Sequence, residues 1–220
     1  MEEIANNIYI DRSFPGVVLG VLKLKHGLLM VDSPFRAKDQ LSWRAKMINL
    51  GGGVDKLLVM MDTHIDRTLG IHAIEYSVLG HKNAVEILKN RPSSARATDI
   101  DAGADWEHYE LPLNIQWALP DMTYTEDVSI YWDNETIKVS HQPGAHWAGS
   151  WLIYEAEKVI FVGDSVVLDQ PPFFAWSDID LWLEELAWLQ SDTFDGYKIV
   201  SGRNGVLRSE SIEGPMAFLS

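Results

Sequence analysis

The feature that most constrains this fold is a short apolar run that ends abruptly in a compact polar cluster. Lys56–Met61 is almost continuously apolar, and Asp62–Arg67 (DTHIDR) follows it at once. An apolar run of this length without alternation is typical of a strand that is buried on both faces of a sheet. Polar residues that follow such a strand are typical of a site presented by a rigid scaffold.

The same arrangement recurs twice in the second half of the chain. The apolar run Lys158–Val162 leads into Gly163 and Asp164, and Tyr197–Val200 leads into a loop that contains Arg203. Three strands are therefore predicted to end in polar loops, and chemistry is expected to collect at these strand ends.

Apolar spacing along the rest of the chain predicts strands and helices in both halves. The predicted strands are Asn7–Asp11, Gly16–Lys25, Gly27–Asp32, a strand near Val78, Val128–Trp132, Thr136–Ser140 and Ser150–Tyr154. The predicted helices are Ala37–Leu50, Thr68–Tyr76, Lys82–Lys89 and Asp178–Leu189. Two strand-rich halves that each carry helices predict an α/β fold, an αββα sandwich of two mixed sheets with helices on the outer faces.

We expect one domain over residues 1–220. The polar segment 90–104 is the one candidate linker, and it is interpreted as a surface loop because neither side of it is self-sufficient in pattern.

Charge, cysteine content and the N-terminus narrow the classes of protein to which the chain can belong. A net charge of −14 disfavours nucleic acid and anionic membranes as partners. The chain has no cysteine, which excludes disulfides and thiolate chemistry. Its apolar runs are shorter than the ~20 residues of a membrane span, and the acidic start is unlike a signal peptide. We expect a cytoplasmic protein without membrane segments.

The Asp62–Arg67 cluster allows two interpretations. In an extended segment Asp62 and His64 point to the same side, where a carboxylate and an imidazole can bind one zinc, iron or manganese ion. The alternative is a solvated loop that caps a helix with Asp66 or Thr68.

The order of the motifs along the chain resembles the metallo-β-lactamase superfamily. The strings are DTHIDRTLG after a strand, then PGAHWAGS, then FVGD, then SGRNG. The family pattern is HxHxDHxxG, then PGHTxGS, then FxGD, then PGHG, all at strand ends. No single motif is intact, but the resemblance covers nearly the whole chain and implies the αββα fold.

The resemblance implies one metal half-site formed by Asp62, His64 and His146, with Asp164 as a fourth ligand. Asp62 stands where the family has a histidine, and two imidazoles with a carboxylate still form a known zinc set. We expect one divalent ion, zinc in first place, with iron or manganese as alternatives. His146 fits the family's ligand frame, and His141 is kept as the alternative.

The second half-site departs from the family more strongly. Asp66 and Asp164 remain, but Arg67 and Arg203 stand at both histidine positions. A guanidinium has no lone pair with which to bind a metal, so we expect these arginines to pair with the aspartates and to replace the second ion electrostatically. Asp66 is the candidate to orient or deprotonate water, and Arg67 or Arg203 to hold a developing oxyanion.

The predicted function is hydrolysis of an ester, thioester, lactone or amide bond in a small molecule with one metal ion. The alternative is a catalytically inactive member of this fold that binds a small ligand or a partner. An aromatic segment, Val167–Ser177, is interpreted either as a wall of the pocket or as an interface, which leaves a homodimer open.

Overall fold

The computed structural model describes residues 1–93, 108, 115–132 and 135–220. Within these residues the first sheet has seven strands, which lie side by side in chain order. They are β1 (Glu2–Ala5), β2 (Ile8–Asp11), β3 (Leu19–Lys23), β4 (Gly27–Val31), β5 (Asp55–Val59), β6 (Ser77–His81) and β7 (Met122–Tyr124).

The pairing of the first sheet changes from antiparallel to parallel along its width. Strands β1 to β4 pair antiparallel, whereas β4 to β7 pair in parallel. Parallel neighbours need crossover connections, and helical segments lie in each of them. These are α1 (Ala37–Leu50), then α2 (Ile65–Thr68) with a 3-10 turn (Ile71–Ala73), and then α3 (Lys82–Asn90).

The second sheet has six strands among the described residues, in the order β13-β12-β11-β10-β9-β8. They are β8 (Asp127–Trp132), β9 (Glu135–His141), β10 (Ser150–Tyr154), β11 (Val159–Gly163), β12 (Lys198–Ser201) and β13 (Gly205–Leu207). Strands β11 and β12 are parallel, and α4 (Ile179–Leu189) lies in their connection, whereas the other pairs are antiparallel. Helix α5 (Glu213–Leu219) follows β13, and further 3-10 turns span Glu155–Glu157, Asp192–Phe194 and Ser209–Ile212.

Alternating side chains of the strands supply the core on both faces of the sheets. Leu29 and Val59 of the first sheet share one buried cluster with Leu152 and Phe161 of the second. Leu28, next to Leu29 in β4, belongs instead to the cluster under α1 and α3. This two-sided burial explains why the central strands are continuous apolar runs.

Helices cover the outer face of each sheet. Trp43 of α1 and Ile87 of α3 pack on the first sheet, and Trp182 and Leu186 of α4 pack with Trp151 on the second. The predicted αββα sandwich is confirmed.

The region 68–76 corrects one prediction. A continuous helix was expected there, but α2 ends at Thr68 and the backbone is extended at Ile74. Gly70 packs so closely against the Pro34 carbonyl and the Gln40 amide that a Cβ at this position would overlap both. Packing against a neighbouring segment therefore overrides the helical spacing.

Most of the segment interpreted as a surface loop, residues 94–104, lies outside the described residues, as does the hairpin turn 133–134. Among the helices of the described residues, none combines the length and apolar character needed to cross a membrane.

Glu185 is a buried carboxyl group on α4 that anchors the loop between β9 and β10. Its Oε1 accepts a 2.8 Å hydrogen bond from the Gly144 backbone N–H. Its Oε2 is buried and has no hydrogen-bond partner among the described residues. Burial raises the pKa of Glu185 from 4.5 to about 7, because the single bond from Gly144 offsets the desolvation only in part.

Glu185→Gln should make the protein more stable at neutral and alkaline pH. The folded protein holds this proton more tightly than the unfolded chain, so the stabilisation is complete below pH 4.5 and is lost as pH rises through about 7. At about pH 8, urea unfolding should show a gain of about 3 kcal/mol, at ~1.4 kcal/mol per pKa unit. Near pH 4 the variant should match the wild type.

The exposed neighbour Glu184 provides the matched control. Glu184→Gln should leave the pH profile of the unfolding free energy unchanged. A wild-type profile for Glu185→Gln would contradict the assignment of a buried proton to this carboxyl group.

Candidate metal centre

The polar clusters predicted at the strand ends meet at one edge of the sandwich. Asp164 follows β11 directly and Arg203 follows β12 by two residues. These two strands are parallel, so their carboxyl ends lie together. Asp62, which follows β5 in the other sheet, lies in the same group of side chains as Asp164. The site therefore lies between the two sheets.

Asp62, His64 and Asp164 form a compact group of candidate metal ligands. One ligand atom from each residue lies within 4.8 Å of the others. His64 Nδ1 is 3.0 Å from Asp62 Oδ2 and 3.6 Å from Asp164 Oδ2. These are three of the four metal ligands predicted from the sequence, and the structure brings them together.

The surroundings of His64 fit a divalent cation. Both ring nitrogens are buried: Nδ1 lies 3.0 Å from Asp62 Oδ2, and Nε2 has no hydrogen-bond partner among the described residues. Burial disfavours the protonated ring, but the Asp62 carboxylate outweighs this and raises the pKa of His64. A buried imidazole beside two carboxylates is a donor set that zinc, iron or manganese accepts.

His146 lies beside this group with both ring nitrogens engaged. Its ring centre is 5.1 Å from that of His64. Nδ1 accepts a 3.0 Å hydrogen bond from the Ala148 backbone N–H, and Nε2 lies 3.0 Å from Thr63 Oγ1. An accepting Nδ1 places the hydrogen on Nε2, and burial lowers the pKa of His146 to about 3. Its role as a metal ligand stays a prediction. To bind an ion, Nε2 would have to lose its hydrogen and its contact with Thr63 Oγ1.

His141, the alternative to His146, makes different contacts. Its ring stacks on His81 at a centre-to-centre distance of 3.5 Å, and its Nε2 lies 3.0 Å from the Trp147 carbonyl. His146 is therefore the histidine that contacts the candidate ligands.

Arg67 is a completely buried cation surrounded by carboxylates. Its side chain has no exposed surface. Nη2 donates a 2.5 Å hydrogen bond to Asp164, and Nη1 lies 3.2 Å from Asp62 and 3.5 Å from Asp32. The carboxylate of Asp66 is 3.9 Å from Nε. Although burial opposes the charge, Asp164 and the other carboxylates raise the pKa of Arg67, so it stays a cation.

Arg203 joins the two aspartates that remain of the second half-site. Its Nε and Nη2 donate to the Asp164 carboxylate at 3.1 and 3.0 Å, and its Nη1 donates to Asp66 and, at 2.7 Å, to the Gly16 carbonyl. Burial opposes ionisation of Asp164, but Arg203 and then Arg67 hold its pKa well below the ordinary range. The predicted contacts between the arginines and the aspartates are present.

Asp32 completes the cluster and was missed by sequence reasoning. It follows β4 with a left-handed φ of 58°. Its Oδ1 accepts a 2.9 Å hydrogen bond from the Met61 backbone N–H, and its Oδ2 faces Arg67. Burial raises the pKa of Asp32 to about 7, against the attraction of Arg67. The available signal was its position at the end of a buried strand.

The net charge of the cluster is negative when its carboxyl groups are ionised, which is compatible with a bound cation. The four aspartates carry four negative charges when ionised, and Arg67 and Arg203 carry two positive ones. Two negative charges remain uncompensated. Protons on Asp32 and His64 reduce this excess, since burial raises the pKa of Asp32 to about 7 and the Asp62 carboxylate raises that of His64.

A cavity of about 150 Å³ opens onto the candidate ligands. His64, His146, Asp164 and Arg203 line it, together with Thr63, Ile65, Arg91, Val167, Gln170, Pro171, Pro172, Phe173 and Trp176. The Phe173 ring packs edge-on against His64 at 5.3 Å. The aromatic segment therefore lies against the cavity, and its use as an interface stays a prediction. Thr63 and Arg91 are further residues that sequence reasoning missed.

Arg67→Met should strongly destabilise the protein in the absence of added metal. Removing one partner of a buried ionic cluster leaves uncompensated charge and costs about 3–5 kcal/mol. Urea unfolding at neutral pH measures the loss. Adding Asp32→Asn to Arg67→Met should recover part of it, since one repelling carboxylate is removed.

Arg44 is the matched control, because its ion pair with Glu75 at 3.1 Å is exposed. Arg44→Met should cost less than ~1 kcal/mol. Equal losses for the Arg44 and Arg67 variants would show that the buried cluster does not depend on its central cation.

Comparison with known proteins identifies the fold. No protein-family model and no curated protein matches the chain. A metallo-β-lactamase from Pontibacter korlensis is 16% identical, with a TM-score of 0.70, 99% of this chain covered and 97% of that one. The metallo-β-lactamase DIM-1 is 17% identical, with a TM-score of 0.72, and the alignment covers 99% of this chain and 95% of that one. A metallo-β-lactamase family protein from Thermus thermophilus is 15% identical, with a TM-score of 0.68, and the alignment covers 96% of this chain and 79% of that one. The chain has the metallo-β-lactamase fold.

Proposed function

We propose that this protein is a hydrolase that uses one divalent metal ion, zinc in first place, to cleave an ester, thioester, lactone or amide bond of a small molecule. The observation that carries the proposal is His64. Its Nε2 is buried and has no hydrogen-bond partner among the described residues, and its Nδ1 lies 3.0 and 3.6 Å from the carboxylates of Asp62 and Asp164. With all four aspartates ionised, the carboxylates outnumber the guanidinium groups of Arg67 and Arg203, which favours a cation at this place.

A divalent ion held by these side chains supplies Lewis acidity, which polarises a carbonyl group and makes water more acidic. The residues around the ion would have different roles in the reaction. Asp164 suits a ligand better than a base, because Arg203 keeps its pKa low and its carboxylate ionised. Arg203 lines the cavity, but its three nitrogens already donate to Asp164, Asp66 and Gly16, so stabilising an oxyanion would require it to release one of these partners.

Asp66 and Arg67 act through other groups in this proposal. Asp66 is 1% exposed, its carboxylate oxygens face Arg203, and Arg67 has no exposed side-chain surface. We therefore assign Asp66 to positioning Arg203, and Arg67 to holding Asp62 and Asp164 in place. Direct proton transfer by Asp66, the role expected from the sequence, would require Arg203 to move.

A second candidate function is binding without catalysis. Arg67 already neutralises part of the charge on Asp62 at 3.2 Å, and His146 Nε2 is engaged by Thr63. An apolar cavity of about 400 Å³ lies between the aromatic segment and α5, lined by Val167, Pro171, Trp182 and Phe218 among others. An apolar ligand could occupy this cavity without any metal chemistry.

The metal content of the purified protein separates the two functions. Protein purified without chelator and supplied with zinc should bind about one equivalent, measured by elemental analysis after gel filtration. His64→Ala should abolish this binding because it removes the imidazole of the proposed ligand set. His26→Ala is the matched control, since His26 is 55% exposed and pairs with Asp55 elsewhere. Absence of zinc from the wild-type protein would favour the binding function.

Hydrolytic activity should depend on bound zinc. The zinc-loaded protein should hydrolyse ester or thioester reporters, a chelator should abolish turnover, and zinc should restore it. Turnover that persists in His64→Ala protein would contradict a metal-dependent reaction at this site.

A further inference from the structure

Arg91 holds a guanidinium group in a fixed place at the cavity. It follows α3 directly and lines the cavity together with His64 and His146. The guanidinium carbon lies 4.7 Å from the centre of the Trp117 ring, and Nη2 lies 3.4 Å from Thr63 Oγ1. Stacking on an indole and contact with a hydroxyl orient a guanidinium while leaving most of its donors free.

Arg91 differs from the other arginines of the site because it forms no ion pair with any described residue. Arg67 and Arg203 each contact at least two carboxylates. Arg91 Nη1 is buried and has no hydrogen-bond partner among the described residues. Burial lowers the pKa of Arg91, and the attraction of Asp62 offsets this only in part. Nη1 is therefore a buried cationic donor with no counter-ion among the described residues, and a bound anion would stabilise it.

The cavity presents an apolar surface close to this cation. Phe173 and Trp176 line it along with Arg91. A ligand that reaches the candidate metal ligands therefore meets both aromatic rings and a guanidinium that has no ion-pair partner in the described parts of the chain. An oxyanion joined to an apolar or aromatic group matches this combination.

The overall charge of the site also favours an anion once a cation is bound. With Arg91 included, four ionised aspartates and three guanidinium groups leave one negative charge. A divalent ion would turn this into one positive charge.

We propose that Arg91 binds an oxyanion of the substrate, a carboxylate or phosphate remote from the bond that is cleaved. The substrate is then an anionic ester, thioester, lactone or amide whose apolar part packs against Phe173 and Trp176. The inference about the substrate rests on the proposed function, but binding of an anion at Arg91 can be measured without any catalytic activity.

The test compares phenylacetate with its neutral analogue phenylacetamide as probes. Their affinities are measured by calorimetry and by tryptophan fluorescence, on zinc-loaded and on chelator-treated protein. The wild type should bind phenylacetate about tenfold more tightly or better, as expected for a charge-assisted hydrogen bond. Arg91→Gln should lose most of this preference, and Arg91→Lys should restore part of it. Arg44→Gln, which removes an exposed guanidinium elsewhere, should keep it.

Three results would overturn the proposal: no binding of phenylacetate at millimolar concentration, equal affinity of the wild type for both probes, or an unchanged preference in Arg91→Gln. Loss of the preference in Arg91→Gln on chelator-treated protein would support the anion site even if the wild type binds no zinc. Failure of the anion site and failure of the metal hydrolase are therefore distinguishable.

Discussion

The buried guanidinium of Arg67 is the interaction on which the site depends. It has no exposed surface, and carboxylates of both sheets surround it, Asp32 and Asp62 from the first and Asp164 from the second. Moving such a charge out of water is costly, and only well-placed opposite charges offset the cost. The same contacts keep Asp62 and Asp164 ionised at the distance at which they face His64. Arg67 thus links the packing of the two sheets to the electrostatics of the site.

The site divides into two halves with different chemistry. On one side, His64 and the carboxylates of Asp62 and Asp164 form a group of possible metal ligands. On the other, Arg203 bridges Asp66 and Asp164, so positive charge is already supplied by the protein. Guanidinium groups donate hydrogen bonds and cannot bind a metal, so this second half is closed to an ion while its charge stays balanced. The proposed function places one metal ion in the first half, and Arg91, which forms no ion pair with a described residue, extends the positive charge into the cavity.

The predictable parts of the molecule are those with a local signal. Helix α1 was predicted with its observed bounds, and the αββα arrangement followed from apolar runs. The i, i+2 spacing placed Asp62 and His64 on one side, and motif order located Asp164 and Arg203. Asp32 had only the weaker signal of its position at the end of a buried strand, and Arg91 had none, because only the tertiary fold brings the end of α3 to this cavity. Strands β1, β7 and β13 are too short for a recognisable alternation. The hydrogen bond between Thr63 and His146 likewise depends on packing across 83 positions of the chain.

Anomalous X-ray diffraction at the zinc edge, on crystals grown with excess zinc, tests the central claim most directly. The account predicts one peak at the site, bounded by Asp62, His64 and Asp164, and no peak between Asp66 and Asp164. A peak between Asp66 and Asp164, with Arg203 displaced, would contradict the substitution of guanidinium groups for a second ion. The absence of any peak beside His64 would contradict the retained half-site.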